Sequence, residues 1–189
     1  MKLDYAAPAA KGGRTVEIKV RGYATLDMAI DEEMAGGRWV VGTGISTSEF
    51  ADKVAQEIGR THECFIYTDR GWVEVDQESL GVFTGLRDIE QFDEPKELYT
   101  GDVVRMHQFL FDGTEHENEI IGVLVYDKEL ACVCLTEIQH KTLQEYMGYK
   151  DDQEGFEKEK VPICNFYGLH ECSWTYLGNK FENPELLNN

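Results

Sequence analysis

Between Gly71 and Val104 no apolar stretch lasts long enough to make a helix, and each ends at a glycine or a polar turn. Trp72, Val73 and Val75 are aromatic or β-branched, the composition of a short strand. Asp76 to Ser79 is a polar turn, and Val82 with Phe83 opens a second strand. Gly85 can supply a backbone angle that other residues resist. Leu98-Tyr99 leads through the turn pair Gly101-Asp102 into Val103-Val104. A chain punctuated in this way folds as sheets.

The flanking sequence has the same texture. Thr15 to Tyr23 alternates Val16, Ile18 and Val20 with Glu17, Lys19 and Arg21, the period of a half-buried strand. Arg38 to Val41, Cys64 to Tyr67, Val103 to Phe111, Val161 to Tyr167 and Ser173 to Leu177 are further strands. Ile120 to Tyr126 and Leu130 to Leu135 pair as a hairpin around Asp127-Lys-Glu129. Thr114 to Glu119 reads as an acidic loop tip. Ser46 and Glu49 have capping-box spacing, and Phe50, Val54 and Ile58 follow at four-residue steps. That pattern predicts an amphipathic helix over 47–58, laid on one face of the sheet and ended by Gly59. Leu143, Tyr146 and Met147 suggest one more short helix, and Asn183-Pro184 stops regular structure ahead of an extended tail. The expected fold is mainly β, a small barrel or strongly bent sheets with the helix packed on it; α+β is the alternative. Residues 1–14, rich in Ala, Gly and Pro, read as a mobile arm, and 15–187 as one domain.

Two stretches also carry a resemblance. The run from Trp72 to Asp88, Trp-Val-Glu-Val-Asp-x-Glu-Ser-Leu-Gly-x-Phe-Thr-Gly-Leu-Arg-Asp, continues into Leu98-Tyr-Thr-Gly-Asp-Val-Val104. It resembles the central signature of the YopX-like proteins of phages and prophages. Tyr176-Leu-Gly-Asn-Lys-Phe-Glu-Asn-Pro-Glu-Leu-Leu187 is similar to that family's C-terminal signature. Ile18 to Tyr23 and Gly37 to Val41 fit its N-terminal strands more loosely. One segment departs: the family's tight Asn-Gly turn is replaced by the longer, acidic, Pro95-containing stretch Ile89 to Glu97. The resemblance implies phage origin, a mostly β domain over 15–187 and no particular activity.

Charge decides which partners are plausible. With 36 acidic against 18 basic residues the formal net charge is −18, spread through both halves of the chain. Direct binding to nucleic acid needs clustered Lys and Arg, so it is disfavoured. An acidic surface either keeps the protein soluble or is offered to a basic partner. The expected function is a phage-encoded, non-enzymatic interaction protein that binds a basic host protein, in the specific form of an anti-CRISPR-like counter-defence inhibitor. Its candidate surface is Asp31, Glu32, Glu33, Glu115, Glu117, Glu119, Asp151 and Asp152, in three predicted loops. The alternative is a small-ligand or nucleotide-sequestering protein with an aromatic pocket. A homo-oligomer is left open. No run is long enough to span a membrane, and residues 1–15 lack the apolar core of a signal peptide, so a place in the bacterial host cytoplasm is expected.

Catalytic signatures are missing, and the expectation is no enzyme and no cofactor. Cys132 and Cys134 share one face of a strand; with Cys164 and Cys172 they are the candidate metal ligands. No Cys-x-x-Cys pair supports a structural zinc, so the thiols are read as core residues. His140 or His170 with a thiol lacks any local signature. Gly42-Thr-Gly44 resembles a phosphate loop only in its two glycines, since the Lys and the spacing are absent; a helix start at Ser46 to Ser48 would offer a small anion its N–H groups. Trp39, Trp72, Trp174, Tyr67, Tyr99, Phe83 and Phe166 are expected to fill the core, with Trp72 as its central anchor.

Overall fold

The computed structural model describes residues 18–25, 39–111, 115–142, 160–165 and 172–187. The strands are β1 (Val20–Tyr23), β2 (Trp39–Gly42), β3 (Gly44–Glu49), β4 (His62–Thr68), β5 (Gly71–Glu74) and β6 (Gly81–Asp88). They continue as β7 (Lys96–Tyr99), β8 (Asp102–Phe111), β9 (Glu115–Asp127), β10 (Cys132–Thr142), β11 (Lys160–Pro162) and β12 (Cys172–Asn179). Helix α1 (Asp52–Ile58) joins β3 to β4. The strands form three sheets, in the orders β2-β1-β6-β7, β3-β4-β5 and β11-β10-β9-β8-β12. Among the described residues the fold is mainly β with one helix, as expected, and its curved sheet forms half a barrel.

The large sheet is built on two meandering hairpins. β8 and β9 pair from Val103–Val123 to Phe111–Glu115, and β9 turns through Asp127 into β10. Asp127 makes that turn: its Oδ1 accepts the N–H groups of Glu129 and Leu130. Val104, Met106, Ile120, Leu124, Leu135, Val161 and Trp174 of this sheet pack with Leu86 of β6 and Leu98 of β7 into the larger core. A smaller core gathers Val20, Ala24, Val40, Cys64, Ile66 and Val75 between β1, β2, β4 and β5. Gly85 has φ 84° where the pairing of β6 with β7 shifts register, so the glycine relieves strain there.

Several expectations are corrected. Residues 44–49 are a strand: Ser46, Thr47, Ser48 and Glu49 pair with Phe65, Cys64, Glu63 and His62 of β4. The capping box therefore never forms, and the helix is confined to 52–58 with Ala51 at its start and no side-chain cap. Pairing a whole strand satisfies more backbone groups than one cap does. Nor does the helix cover a sheet: none of its residues is buried, and Val54 and Ile58 are exposed. Gly59 ends it in the left-handed region at φ 72°, as the sequence predicts.

Trp72 is 54% exposed and stacks against Tyr67 across the β4–β5 ladder, at 5.2 Å between ring centroids. Val73 and Val75 take the inward face instead. Glu115 to Glu119, expected in a loop tip, belong to strand β9. The last residues form a short 3-10 turn, Pro184–Leu187, rather than an extended tail. Asn165 ends another such turn, Ile163–Asn165, where a longer strand was expected. The arm over 1–14 and the short helix after Leu143 lie outside the described residues.

Candidate functional site

The two cores meet along a polar seam, where Arg21 and Lys96 stand with Lys19 and Arg87 at its rim. Arg21 on β1 points across it to Asp102, the first residue of β8, and forms a buried ion pair with the Asp102 Oδ1. Its guanidinium carbon lies 4.8 Å from the ring centroids of both Trp39 and Tyr99. Opposite Arg21 in the ladder stands Gly81. A Cβ there would meet the Thr100 carbonyl oxygen at 2.6 Å and the Arg21 Nε at 3.3 Å, so the missing side chain makes room for the arginine. The Arg21 Nε is buried and has no hydrogen-bond partner.

Asp102 is fully buried. Its Oδ2 accepts the Tyr99 N–H at 2.7 Å, closing the turn around Gly101. Burial pushes its acid strength down, raising its pKa; Arg21, the Tyr99 amide and Lys96 oppose that. Lys96, at the start of β7, holds its ammonium 3.6 Å from the Tyr176 ring centroid and 5.0 Å from that of Phe92. Among the described residues no carboxylate stands at ion-pair distance from it. Burial lowers its pKa and Arg21 adds to this, while the charges of Asp102, Asp88 and Glu182 work against it. Glu97 balances the rim. Burial alone would raise its pKa, but hydrogen bonds from Lys19, Tyr99 and Arg87 outweigh that and lower it. The Lys19 Nζ donates to its Oε1 at 2.6 Å and the Tyr99 hydroxyl to its Oε2 at 2.9 Å.

The tail closes the other side. Asn179 accepts the N–H groups of Phe181 and Glu182 on its Oδ1 and donates from its Nδ2 to Glu182 at 2.8 Å. This folds Phe181 back onto Tyr23 and Trp39, at 5.3 and 6.0 Å between centroids. Asp88, also fully buried, accepts the Tyr176 N–H at 2.8 Å and caps the segment after β6 through the amides of Glu90 and Gln91. Between these parts lies an open cleft of about 490 Å³, lined by Arg21, Trp39, Lys96, Tyr99, Tyr176 and Glu182. Its walls offer ring faces, two cations and the carboxylates of Glu97 and Glu182. Such a surface suits a planar, anionic molecule.

Of the expected acidic surface, only the Glu115, Glu117 and Glu119 stretch falls within the described residues. Asp31, Glu32, Glu33, Asp151 and Asp152 lie outside the described residues. Glu115, Glu117 and Glu119 are register partners of Phe111, Phe109 and His107 on β8, with Glu117 exposed and Glu119 half-buried. Alternating Glu with His116, Asn118 and Ile120 is a strand period that the polarity of the segment disguised. Of the thiols, Cys132 and Cys134 come together, with Sγ atoms 3.8 Å apart. Cys164 is exposed on the 3-10 turn after β11, and Cys172 sits on β12 at the other edge of the sheet. Among the described residues no three His, Cys, Asp or Glu side chains converge as metal ligands. The anion site at Ser46 to Ser48 disappears with its helix start. Gly42 serves packing: a Cβ on it would lie 2.1 Å from the Tyr67 carbonyl oxygen.

Residue chemistry alone did not single out Arg21, Asp88, Lys96, Asp102 or Asn179. The signal was present in another form: Asp88, Tyr99 and Asp102 belong to the central signature, and Tyr176, Asn179 and Glu182 to the tail signature. The two signatures, far apart in sequence, face each other across this cleft.

A family model described as YopX protein matches residues 42–188. No curated protein and no solved structure matches the chain.

Proposed function

The chain belongs to the YopX protein family, and on that premise we propose that it is a phage-type, non-enzymatic binding protein whose ligand is a small planar anion of the nucleotide class. The observation that carries this reading is the cation–ring arrangement of the cleft. In a chain of net charge −18, Arg21 lies between Trp39 and Tyr99 while Lys96 rests on Tyr176 with no direct ion pair among the described residues. A base stacks on ring or guanidinium planes, and a phosphate gives Lys96 the acceptor it lacks. The cleft offers rings and cations rather than a nucleophile paired with a base, which favours sequestration over turnover.

Calorimetric titration with nucleoside mono-, di- and triphosphates and the parent nucleosides tests it. One equivalent of a phosphorylated compound should bind, the nucleoside more weakly. Lys96→Met should cost about 1.5–3 kcal/mol of affinity, roughly ten- to hundredfold. Absence of stoichiometric binding across the series overturns the reading.

Charge supports a second reading. The acidic excess runs through the chain, and Glu117 stands exposed on β9. A basic nucleic-acid groove of a host defence protein is a complementary partner, occupied in a counter-defence, anti-CRISPR-like manner. Association with such a partner should slow steeply as salt rises. Binding of free duplex DNA at moderate salt argues against it.

A further inference from the structure

Cys132 and Cys134 are two apart on β10, so both side chains leave the same face of the strand. Their Sγ atoms are 3.8 Å apart. Two thiolates bound to one tetrahedral ion through metal–sulfur bonds of about 2.3 Å stand about 3.8 Å from each other. The thiols therefore already have the separation of one edge of such a site.

The neighbourhood leaves that edge available. β10 lies between β9 and β11, which fixes Val125 and Pro162 opposite Cys134 and Asp127 opposite Cys132. Val125 and Pro162 have no side-chain group that competes for the sulfurs. The Asp127 carboxylate is occupied by the turn amides and by the Lys160 ammonium, whose Nζ is 2.5 Å from its Oδ2. Cys134 is buried and Cys132 half-buried, so an ion has an approach from the Cys132 side. Cys64 is in the smaller core and Cys172 at the far edge of the large sheet, and neither can reach. The Cys132 thiol and burial hold the Cys134 thiol up at about 12, with burial the larger cause. A bound ion takes the place of the thiol protons.

We propose that Cys132 and Cys134 form a bidentate site for a thiophilic d10 divalent ion, zinc or cadmium, with its remaining positions filled from solvent. Each S–H bond breaks as a sulfur–metal bond forms; two protons pass to the buffer, and neither metal nor sulfur changes oxidation state. The site adds to a fold that does not need it, because β10 is held by its ladders to β9 and β11. It is independent of the cleft.

The test is titration of the reduced, full-length protein with cadmium, following thiolate-to-cadmium charge-transfer absorption and proton release. One equivalent should bind, releasing two protons. Cys132→Ser and Cys134→Ser should each lower affinity at least about tenfold. A Cys64→Ser/Cys172→Ser double variant should bind as the parent does. A folded Cys132→Ser/Cys134→Ser double variant that binds cadmium with unchanged affinity overturns the proposal. X-ray absorption on the cadmium-loaded parent needs no variant: at least two sulfur scatterers are expected, and a shell of oxygen and nitrogen alone overturns it.

Discussion

Asp102 holds Arg21 across 81 positions of sequence, and the pair joins β1 of the smaller core to β8 of the larger. Both groups are almost completely withdrawn from water, with side-chain exposures of 0% and 11%. Breaking such a pair is costly because the surviving charge stays buried. Asp102→Asn should destabilise by about 3–5 kcal/mol in urea unfolding. Adding Arg21→Met should recover part of that loss, since the orphaned cation is gone. Two variants whose costs simply add would mean that the pair does not act as a unit.

Trp72 and Trp174 should part company. Trp174 is 7% exposed and belongs to the larger core, so Trp174→Ala should cost about 3–5 kcal/mol. Trp72 faces solvent beside Tyr67, and Trp72→Ala should stay within about 1 kcal/mol. Thermal melts of the two variants check this, and equal shifts would refute it.

Gly42 and Gly44 separate packing from phosphate binding. An alanine Cβ at Gly42 would run into the Tyr67 backbone oxygen and, at 2.5 Å, the Ile66 Cγ2. Gly42→Ala should lose about 1–3 kcal/mol or more. At Gly44 the nearest atom is the Tyr67 Cβ at 3.6 Å, an ordinary contact. Gly44→Ala should melt close to the parent.

Alkaline pH should unfold the seam. Burial, then the hydrogen bond to Glu97 and its charge, hold the Tyr99 phenol well above its ordinary value of 10.0. The unfolded chain loses that proton first. The stability is therefore whole below pH 10.0 and is lost as pH rises from there towards the folded value. Lys96 has the opposite sign: its pKa is lowered, so its deprotonation adds stability as pH climbs towards 10.5. Urea melts through this range should show a shallower fall for Tyr99→Phe and a steeper one for Lys96→Met. Parallel curves for all three proteins would rule out both assignments.

Asp88→Ala should cost about 2 kcal/mol or more, because it strands the N–H groups of Tyr176, Glu90 and Gln91. Hydrogen exchange should then rise at Tyr176 while the Asp127 turn stays protected. Loss of protection at both would point to general unfolding instead.

What the chain determined by itself is local. Short β-branched and aromatic runs between turn residues can only become strands, and the Asp127 turn, the β9–β10 hairpin, Gly85 and Gly59 all behave as their residue types require. The signatures marked the right residues without showing why. Alternation along Trp72-Val73-Glu74-Val75 defines two faces, and Glu74 sharing a face with Trp72 hinted at the answer. Which face turned inward was decided only when Cys64 and Ile66 packed behind β5. Likewise Ser46 to Glu49 has a helix-start spacing, yet β4, folding back from beyond the helix, offered a full ladder and took it. The cleft was beyond local reading for the same reason: Arg21 with Asp102, Asp88 with Tyr176 and Lys96 with Tyr176 are contacts between distant segments. Their energies depend on burial and register, which exist only once the sheets have assembled.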